Sequence, residues 1–345
     1  MAEGVGGHVG AGPVGVFVAL DLEAEAPGAG FHHAVAGDDA VEVGELDGGG
    51  LGDRGGVQQG GVHQFQEEGD EVVGGALGLP SGLAAQAGAE VVYMTGFGVA
   101  GAGFGLPDIG LVSAAEMMER VRVIAAAAAP VPLIADGDNG HGGPLNAARL
   151  ARAYEQAGAQ CIQIEDQVFP KSCGHMEGKE VVAIEEAAAK IRAAADARAA
   201  KSFKIMARTD ARATHGLDEA LRRGDAFLKA GADILFIEAP RDEAEMRKVA
   251  DTFKGVPLVA NIVEDGKTPY LGAKALEALG YRIALFPVSA LLAVTARLQG
   301  VYATLLKGEG LPEAEPRVTF HRYNELIGLN DMLADAAAIN EKTGK

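Results

Sequence analysis

From residue 81 onward the chain alternates between Ala-rich stretches with apolar residues at helical spacing and short runs of β-branched and other apolar residues. The runs fall at residues 90–94, 131–135, 161–164, 204–207, 234–237, 257–260 and 282–286. Several follow a glycine placed to end a helix, as in Ala157-Gly158-Ala159, Ala230-Gly231-Ala232 and Leu279-Gly280-Tyr281. This is an internal repeat of β-α units around a parallel sheet. Seven strands at spacings of roughly 25 to 45 residues predict an α/β fold of the eight-stranded (β/α)8 TIM type lacking one strand, which should precede a helix at residues 81–86. An open, doubly wound sheet has the same alternation. The barrel is favoured by where the polar residues fall. Thr95, Asp136, Asp138, Glu165, Asp166, Arg208, Asp210, Glu238 and Asn261 lie at or just beyond the C-terminal ends of different runs, where barrel active sites are built.

Composition divides the chain near residue 80. The first 80 residues hold 22 of the 49 Gly, 14 acidic residues, one Arg and no Lys, and so carry −13 of the formal net charge of −18. Gly, Ala, Val, Asp and Glu fill 58 of those 80 positions, and these are the five amino acids whose codons begin with G. The bias suggests out-of-frame translation of GC-rich DNA, or else an acidic, Gly-rich disordered tail without the large apolar residues that offset ordering entropy. No function is assigned to residues 1–80; residues 81–345 are read as the barrel and its C-terminal helices. The acidic balance argues against nucleic acid, whose phosphates need clustered Lys and Arg. Two Cys exclude a disulfide framework, and no apolar stretch approaches the roughly 20 residues that span a bilayer. The start, Met1-Ala2-Glu3-Gly4, has neither the basic nor the apolar region of a secretion signal, so a cytoplasmic protein is expected.

The chemistry concentrates after the strand at residues 131–135. There Asp136-Gly137-Asp138 opens a Gly-rich loop that ends at Pro144, a residue suited to start a helix. In an extended chain, residues two apart face the same side, so the two carboxylates should stand side by side and need a cation, with hard oxygens favouring Mg²⁺ or Mn²⁺. Solvated loop acids or helix caps are the alternative. Glu165 and Glu238, expected at the same mouth without basic partners, weigh against it. Residues 169–179 are polar and Gly-punctuated, and read as a mobile lid. Within it Cys173 is flanked by Lys171, His175 and Lys179, a setting that lowers a thiol pKa and suits proton transfer or nucleophilic attack. Cys161, inside an apolar run, reads as a small core residue. Zinc is poorly supported, since no CxxC pair exists.

Residues 96–101 match GxGxxG, which raises a nicotinamide dehydrogenase as a competing class. That reading is rejected because the loop is not expected to open a helix and no strand-end acid follows at the ribose-contact spacing. Its amides could instead cradle a substrate carboxylate, assisted by Arg208. Arg208 could equally be an ion-pair partner of the acids.

Taken together and in order, Tyr93-Met94-Thr95-Gly96, Gly105-Leu106-Pro107-Asp108, Asp136-Gly137-Asp138, Ile164-Glu165-Asp166-Gln167, Lys171-Ser172-Cys173-Gly174-His175, Ala207-Arg208-Thr209-Asp210, Glu238-Ala239-Pro240 and Ala260-Asn261-Ile262 resemble the isocitrate lyase and phosphoenolpyruvate mutase superfamily over residues 81–335. The resemblance implies a barrel whose last helices are swapped between subunits of a homotetramer, a bound Mg²⁺, and small 2-oxo or 2-hydroxy acids as substrates. The KxCGH lid resembles the carbon–carbon lyase branch that includes the 2-methylisocitrate and 2,3-dimethylmalate lyases and petal-death-protein-like enzymes, whereas the phosphonate-forming phosphorylmutases lack this Cys. Oxaloacetate hydrolases are also similar, but carry a Ser where this chain has Pro287.

On this resemblance Asp136, Asp138, Glu165 and Asp108 would hold Mg²⁺, mostly through water, and the amides of Thr95, Gly96 and Phe97 would bind the substrate carboxylate. Tyr93 would manage the hydroxyl proton, and Cys173 would protonate the carbanion. His175, Arg208, Glu238 and Asn261 would orient and balance charge, with Gly174 and Pro287 beside the substrate. One departure stands out. A strand ending in a Pro-Gly and Tyr-Asp pattern should precede Ser81, but the chain offers Glu71-Val72-Val73-Gly74-Gly75-Ala76-Leu77-Gly78-Leu79-Pro80. The first strand is therefore missing or replaced, and an open, inactive barrel is a third reading beside lyase and mutase.

Overall fold

The computed structural model describes residues 70–75, 77–171, 178–308 and 310–343. Eight strands alternate with helices: β1 (Asp70–Gly75), β2 (Val91–Met94), β3 (Leu133–Asp136), β4 (Cys161–Glu165), β5 (Lys204–Thr209), β6 (Ile234–Ile237), β7 (Val259–Asn261) and β8 (Ile283–Phe286). All pair in parallel, in the order β6-β5-β4-β3-β2-β1-β8-β7. The two ends of that row meet at a parallel bridge between Leu235 and Leu258, where the Leu235 amide donates to the Pro257 carbonyl at 3.0 Å. The sheet thus curls into a TIM-type barrel, and the open-sheet alternative falls.

The seven runs read from the sequence are β2 to β8, with ends shifted by no more than two residues. The eighth strand corrects the expected boundary at residue 80. It comes from inside the Gly-rich acidic segment, where Asp70–Gly75 lies between its neighbours with Val72 opposite both Val91 of β2 and Leu285 of β8. The segment supplies no alternating apolar pattern, yet main-chain ladders on both flanks can hold a strand in which only Val72 and Val73 are good strand formers. The following helix, Gly78–Gln86, also starts earlier than expected, with Pro80 in a first turn whose amides need no intrahelical partner.

Alternation along the strands separates two apolar layers. Val91, Ile134, Cys161, Met206, Ile234, Phe236, Val259 and Ile283 pack together inside the barrel. Val92, Ile162, Ile205, Leu235 and Ala260 pack on the opposite side with Met117, Val121, Leu150, Phe227 and Val249 of the surrounding helices. Gly231 and Gly280 cap their helices at φ of 106° and 107°, and Ser113 with Glu116 forms a capping box at the start of Ala114–Ala128. The C-terminal helices Ser289–Leu305, Phe320–Leu326 and Leu329–Thr343 bury no residue in the single chain. Among the described residues, no helix is long and apolar enough to cross a membrane.

Candidate active site

The same alternation turns polar as the inward-facing rows reach the C-terminal ends of the strands. Val91 is followed two and four residues on by Tyr93 and Thr95, Cys161 by Gln163 and Glu165, Met206 by Arg208, and Val259 by Asn261. These ends open onto a cavity of about 180 Å³ whose lining includes Tyr93, Thr95, Phe97, Asp108, Asp136, Glu165, Lys171, Arg208 and Asn261. Phe236, Val263, Leu285, Pro287, Val288 and Leu292 complete the lining, with the Arg208 guanidinium 5.1 Å from the Phe236 ring centre. Glu238 lies just beneath, buried, accepting from Asn261 Nδ2 at 3.2 Å.

Asp136 and Asp138 come together, but not as neighbours on an extended strand. Asp136 ends β3, and Asp138 adopts the left-handed conformation at φ 49°, which Asp tolerates better than most residues. The turn between them folds against β4: the Gly137 amide donates to the Gln163 carbonyl at 2.9 Å, and the Glu165 amide to the Asp138 carbonyl at 2.9 Å. A Cβ at Gly137 would lie 2.8 Å from the Gln163 oxygen, which is main chain. Gly137→Ala is therefore expected to lower stability by about 1–3 kcal/mol, as overpacking against a backbone does, measured as a fall in Tm. A Cβ at Gly96 would lie 3.0 Å from both Asp136 Oδ2 and Asp138 Oδ1, so the two carboxylates converge on this glycine. The Gly96 amide, expected to face a substrate carboxylate, donates instead to Asp136 Oδ2 at 3.0 Å. The segment also opens a helix, contrary to the sequence reading: Gly96–Gly98 is α-helical and Val99–Gly103 a π-turn. Its small side chains crowd neither geometry.

The acids have basic partners, which corrects a second expectation. The Lys171 ammonium donates to Asp108 and lies 2.7 Å from Asp138 Oδ1. Arg208 donates to both oxygens of Asp210 at 3.0 and 3.1 Å and lies 3.5 Å from Glu165 and 3.7 Å from Glu238. Lys179 donates to Asp210 at 2.7 Å. Lys171 and Lys179, expected to activate Cys173, are thus committed to carboxylates. Burial holds the Glu165 carboxyl well above its ordinary value, against the attraction of Arg208 and with repulsion from Asp210. Burial likewise pushes Asp138 up to about 6, opposed by Lys171 and helped by Asp136. For Lys171 burial works toward neutrality, but Asp138, Asp136, Glu165 and Asp108 prevail and keep the ammonium charged. Burial and the Asp136 charge push the Tyr93 phenol well above 10, and its hydroxyl already donates to Gln163 Oε1 at 2.7 Å. Tyr93 is a neutral donor here.

Asp166, grouped with the acids at the strand ends, organises main chain instead. It accepts from the Thr209 hydroxyl at 2.6 Å, the Asp210 amide at 2.9 Å and Arg223 at 3.0 Å. Gln163 was missed by residue-by-residue reading. It accepts from Tyr93 and donates to Asp136 Oδ1 at 3.0 Å. Its signal was parity: an amide set two residues from both Cys161 and Glu165 in a buried strand has to face the barrel interior. Cys161 is the buried core thiol expected, its ionisation opposed by burial. Cys173, Gly174 and His175 lie outside the described residues.

The donor chemistry at the mouth fits a hard divalent cation. Asp108, Asp136, Asp138 and Glu165 offer carboxylate oxygens, and buried Glu165 Oε1 has no hydrogen-bond partner. Among the described residues, however, no three His, Cys, Asp or Glu side chains are gathered tightly enough to enclose an ion.

Residues 80–306 match the phosphoenolpyruvate phosphomutase family. The 2,3-dimethylmalate lyase of Eubacterium barkeri is 48% identical over 244 residues, spanning 70% of this chain and 83% of that protein. The 2-methylisocitrate lyase of Bacillus subtilis strain 168 is 42% identical over 266 residues, 74% of this chain and 87% of that protein. A crystal structure of 2,3-dimethylmalate lyase superposes with a TM-score of 0.75 at 34% identity, covering 79% of this chain and 91% of that one.

Proposed function

The chain belongs to the phosphoenolpyruvate mutase/isocitrate lyase superfamily, and from that premise we propose that it is a carbon–carbon lyase. Its reaction cleaves a small 2-hydroxy dicarboxylate or tricarboxylate, of the 2,3-dimethylmalate or 2-methylisocitrate type, to a 2-oxo acid such as pyruvate and a second carboxylate. The observation that carries the reading is the cavity at the strand ends, whose lining combines carboxylates, Lys171 and Arg208 with the apolar side chains of Val263, Leu285, Pro287 and Val288. The polar lining groups suit the hydroxy-acid end of the substrate, and the apolar ones suit an alkyl substituent on the carbon that becomes the carbanion.

Asp136, Asp138, Glu165 and Asp108 are the residues to hold Mg²⁺, with Mn²⁺ as a substitute. When bound, such an ion supplies positive charge that stabilises the charge developing on the substrate oxygens. The protein's own groups do the rest. Arg208 and Asn261 orient the substrate from the strand ends, with Glu238 fixing Asn261. Thr95 and Phe97 close the wall beside the acid cluster. Tyr93, uncharged, relays a hydrogen bond through Gln163 to Asp136. As the C2–C3 bond breaks, the 2-hydroxyl loses its proton to the carboxylate cluster by way of Tyr93 and its O–H electron pair forms the carbonyl of the 2-oxo acid, while the C2–C3 electron pair passes to C3 and is delocalised into the adjoining carboxylate. Cys173, on the strength of the Lys171-Ser172-Cys173-Gly174-His175 motif, gives C3 a proton, with Gly174 and His175 beside it. Pro287 on the cavity wall offers no hydroxyl, which favours lyase over oxaloacetate hydrolase chemistry, and the Cys-bearing motif favours it over phosphorylmutase chemistry.

The test is release of 2-oxo acid from 2,3-dimethylmalate, 2-methylisocitrate and oxaloacetate, each with Mg²⁺ and with a chelator. Chelator-sensitive pyruvate from either of the first two is expected. Turnover confined to oxaloacetate, or none on all three from soluble protein, would overturn the lyase reading. The assembly belongs to the same proposal: a cytoplasmic homotetramer with its C-terminal helices swapped between subunits. Its support is that these helices bury nothing in the single chain, leaving Phe320 86% and Met332 70% exposed. Light scattering should give four chains per particle, and a monomer would refute it.

A further inference from the structure

We infer that Gln163 is a positioning residue: its side-chain amide, held in one orientation by Asp136, turns the hydroxyl hydrogen of Tyr93 away from the substrate, so that the phenol oxygen accepts from the substrate's 2-hydroxyl. This rests on the lyase reading of the site given above.

Alternation along the strands brings the three side chains together. Asp136 and Gln163 are register partners across β3 and β4, and the Gly137 amide locks that register by donating to the Gln163 carbonyl at 2.9 Å. Tyr93 joins them from β2 and lines the cavity, whereas Gln163 is fully buried behind it. A glutamine amide has a donor end and an acceptor end, and only one assignment fits here. Asp136 Oδ1 is a carboxylate acceptor, so Nε2 must face it, and does so at 3.0 Å. The reversed amide would set its oxygen against the carboxylate, with no water to relieve either. Oε1 is left for Tyr93, whose hydroxyl donates to it at 2.7 Å. Asp136 is itself fixed by the amides of Asp138 and Gly96, each at 3.0 Å. Direction therefore passes from the main chain to Asp136, from Asp136 to Gln163, and from Gln163 to Tyr93.

Burial and the Asp136 charge keep the phenol protonated, so it has one hydrogen to donate, and Gln163 receives it. Toward the cavity the phenol oxygen is then an acceptor only, and a 2-hydroxyl beside it must donate. That is the direction in which the hydroxyl gives up its proton as the carbonyl forms. Without the Gln163 acceptor the Tyr93 hydrogen turns into the cavity, where it meets the 2-hydroxyl as a second donor and opposes that transfer.

The experiment is a double-mutant cycle in steady-state kinetics on the full chain, with Gln163→Leu, Tyr93→Phe and the pair, on whichever of 2,3-dimethylmalate and 2-methylisocitrate the wild type cleaves. Gln163→Leu should lower kcat by about tenfold or more with KM within about threefold, and Tyr93→Phe should lower kcat by about 10²–10⁴. The double variant should lose no more than about threefold beyond Tyr93→Phe, because Gln163 acts through Tyr93. Inhibition by pyruvate, which carries no hydroxyl hydrogen, should be at least as strong in Gln163→Leu as in wild type. Losses that multiply in the double variant, or weaker inhibition by pyruvate, would overturn the inference and leave the lyase reading standing. If Gln163→Leu does not fold, Gln163→His decides, since a neutral imidazole also pairs one acceptor with one donor. Its kcat should stay within about tenfold of wild type, and a loss as deep as that of Tyr93→Phe would overturn the inference. Absence of turnover on both substrates by soluble wild type would overturn it together with the lyase reading.

Discussion

Asp136→Asn is expected to lower kcat/KM by about 10²–10³ while the protein still folds, the range seen when one preorganised electrostatic group is lost. The argument is the hydrogen-bond count at this side chain. Asp136 Oδ1 accepts from the Asp138 amide and Gln163 Nε2, each at 3.0 Å, and Oδ2 accepts from the Gly96 amide at 3.0 Å. Every partner is a donor. An isosteric Asn must turn its NH₂ toward one of them, so it loses at least one hydrogen bond and sets donor against donor. Stability should fall by about 1–3 kcal/mol. The negative charge proposed to hold the cation goes as well, so Mn²⁺ affinity should drop in calorimetric titration. An Asp136→Asn enzyme with wild-type kcat/KM would remove Asp136 from the site.

Arg208→Met should produce the largest loss of stability, about 3–5 kcal/mol, because removing one partner of a buried ionic cluster leaves uncompensated charge. Here Arg208 faces Asp210, Glu165 and Glu238, and Met fills the volume without the charge. In scanning calorimetry Tm should fall by about 6–20 °C. The deficit should also depend on pH in metal-free buffer. Burial already holds the Glu165 carboxyl well above its ordinary 4.5 with Arg208 as its main opposing influence, so losing Arg208 raises it further. A carboxyl whose folded pKa is raised binds more protons folded than unfolded, so its stabilisation is present below the unfolded pKa and is lost as pH rises. The gap between variant and wild type should therefore narrow toward pH 5 and widen toward pH 8. A gap independent of pH would show that the acids find other partners.

The engaged Gly96 amide shows where reading residues singly misleads. Tyr93, which the resemblance makes the handler of the hydroxyl proton, is buried next to Asp136, and that burial raises the cost of its phenolate. Gly96 looked like an anion cradle, and its amide does bind an anion, but one supplied by the chain itself. Lys171 and Lys179 were assigned to Cys173 by adjacency in sequence. Both reach across the barrel mouth to carboxylates carried by other segments.

The sequence by itself determined seven strands, the helix caps at Gly231 and Gly280, the gathering of polar residues at one end of the barrel, and the order of motifs that resembles the superfamily. These are local properties. Apolar periodicity, a glycine's access to positive φ and the residue types at strand ends are written within a few positions. The tertiary structure alone decided that Asp70–Gly75 completes the barrel, since a strand paired on both flanks can be held by main-chain hydrogen bonds that leave little side-chain signature. It alone brought Asp138 next to Lys171, through a left-handed turn folded on β4. It also joined Arg208 to Asp210, Glu165 and Glu238. Which charge pairs with which depends on distances of a few ångströms between segments tens of residues apart, and no spacing along the chain encodes those distances.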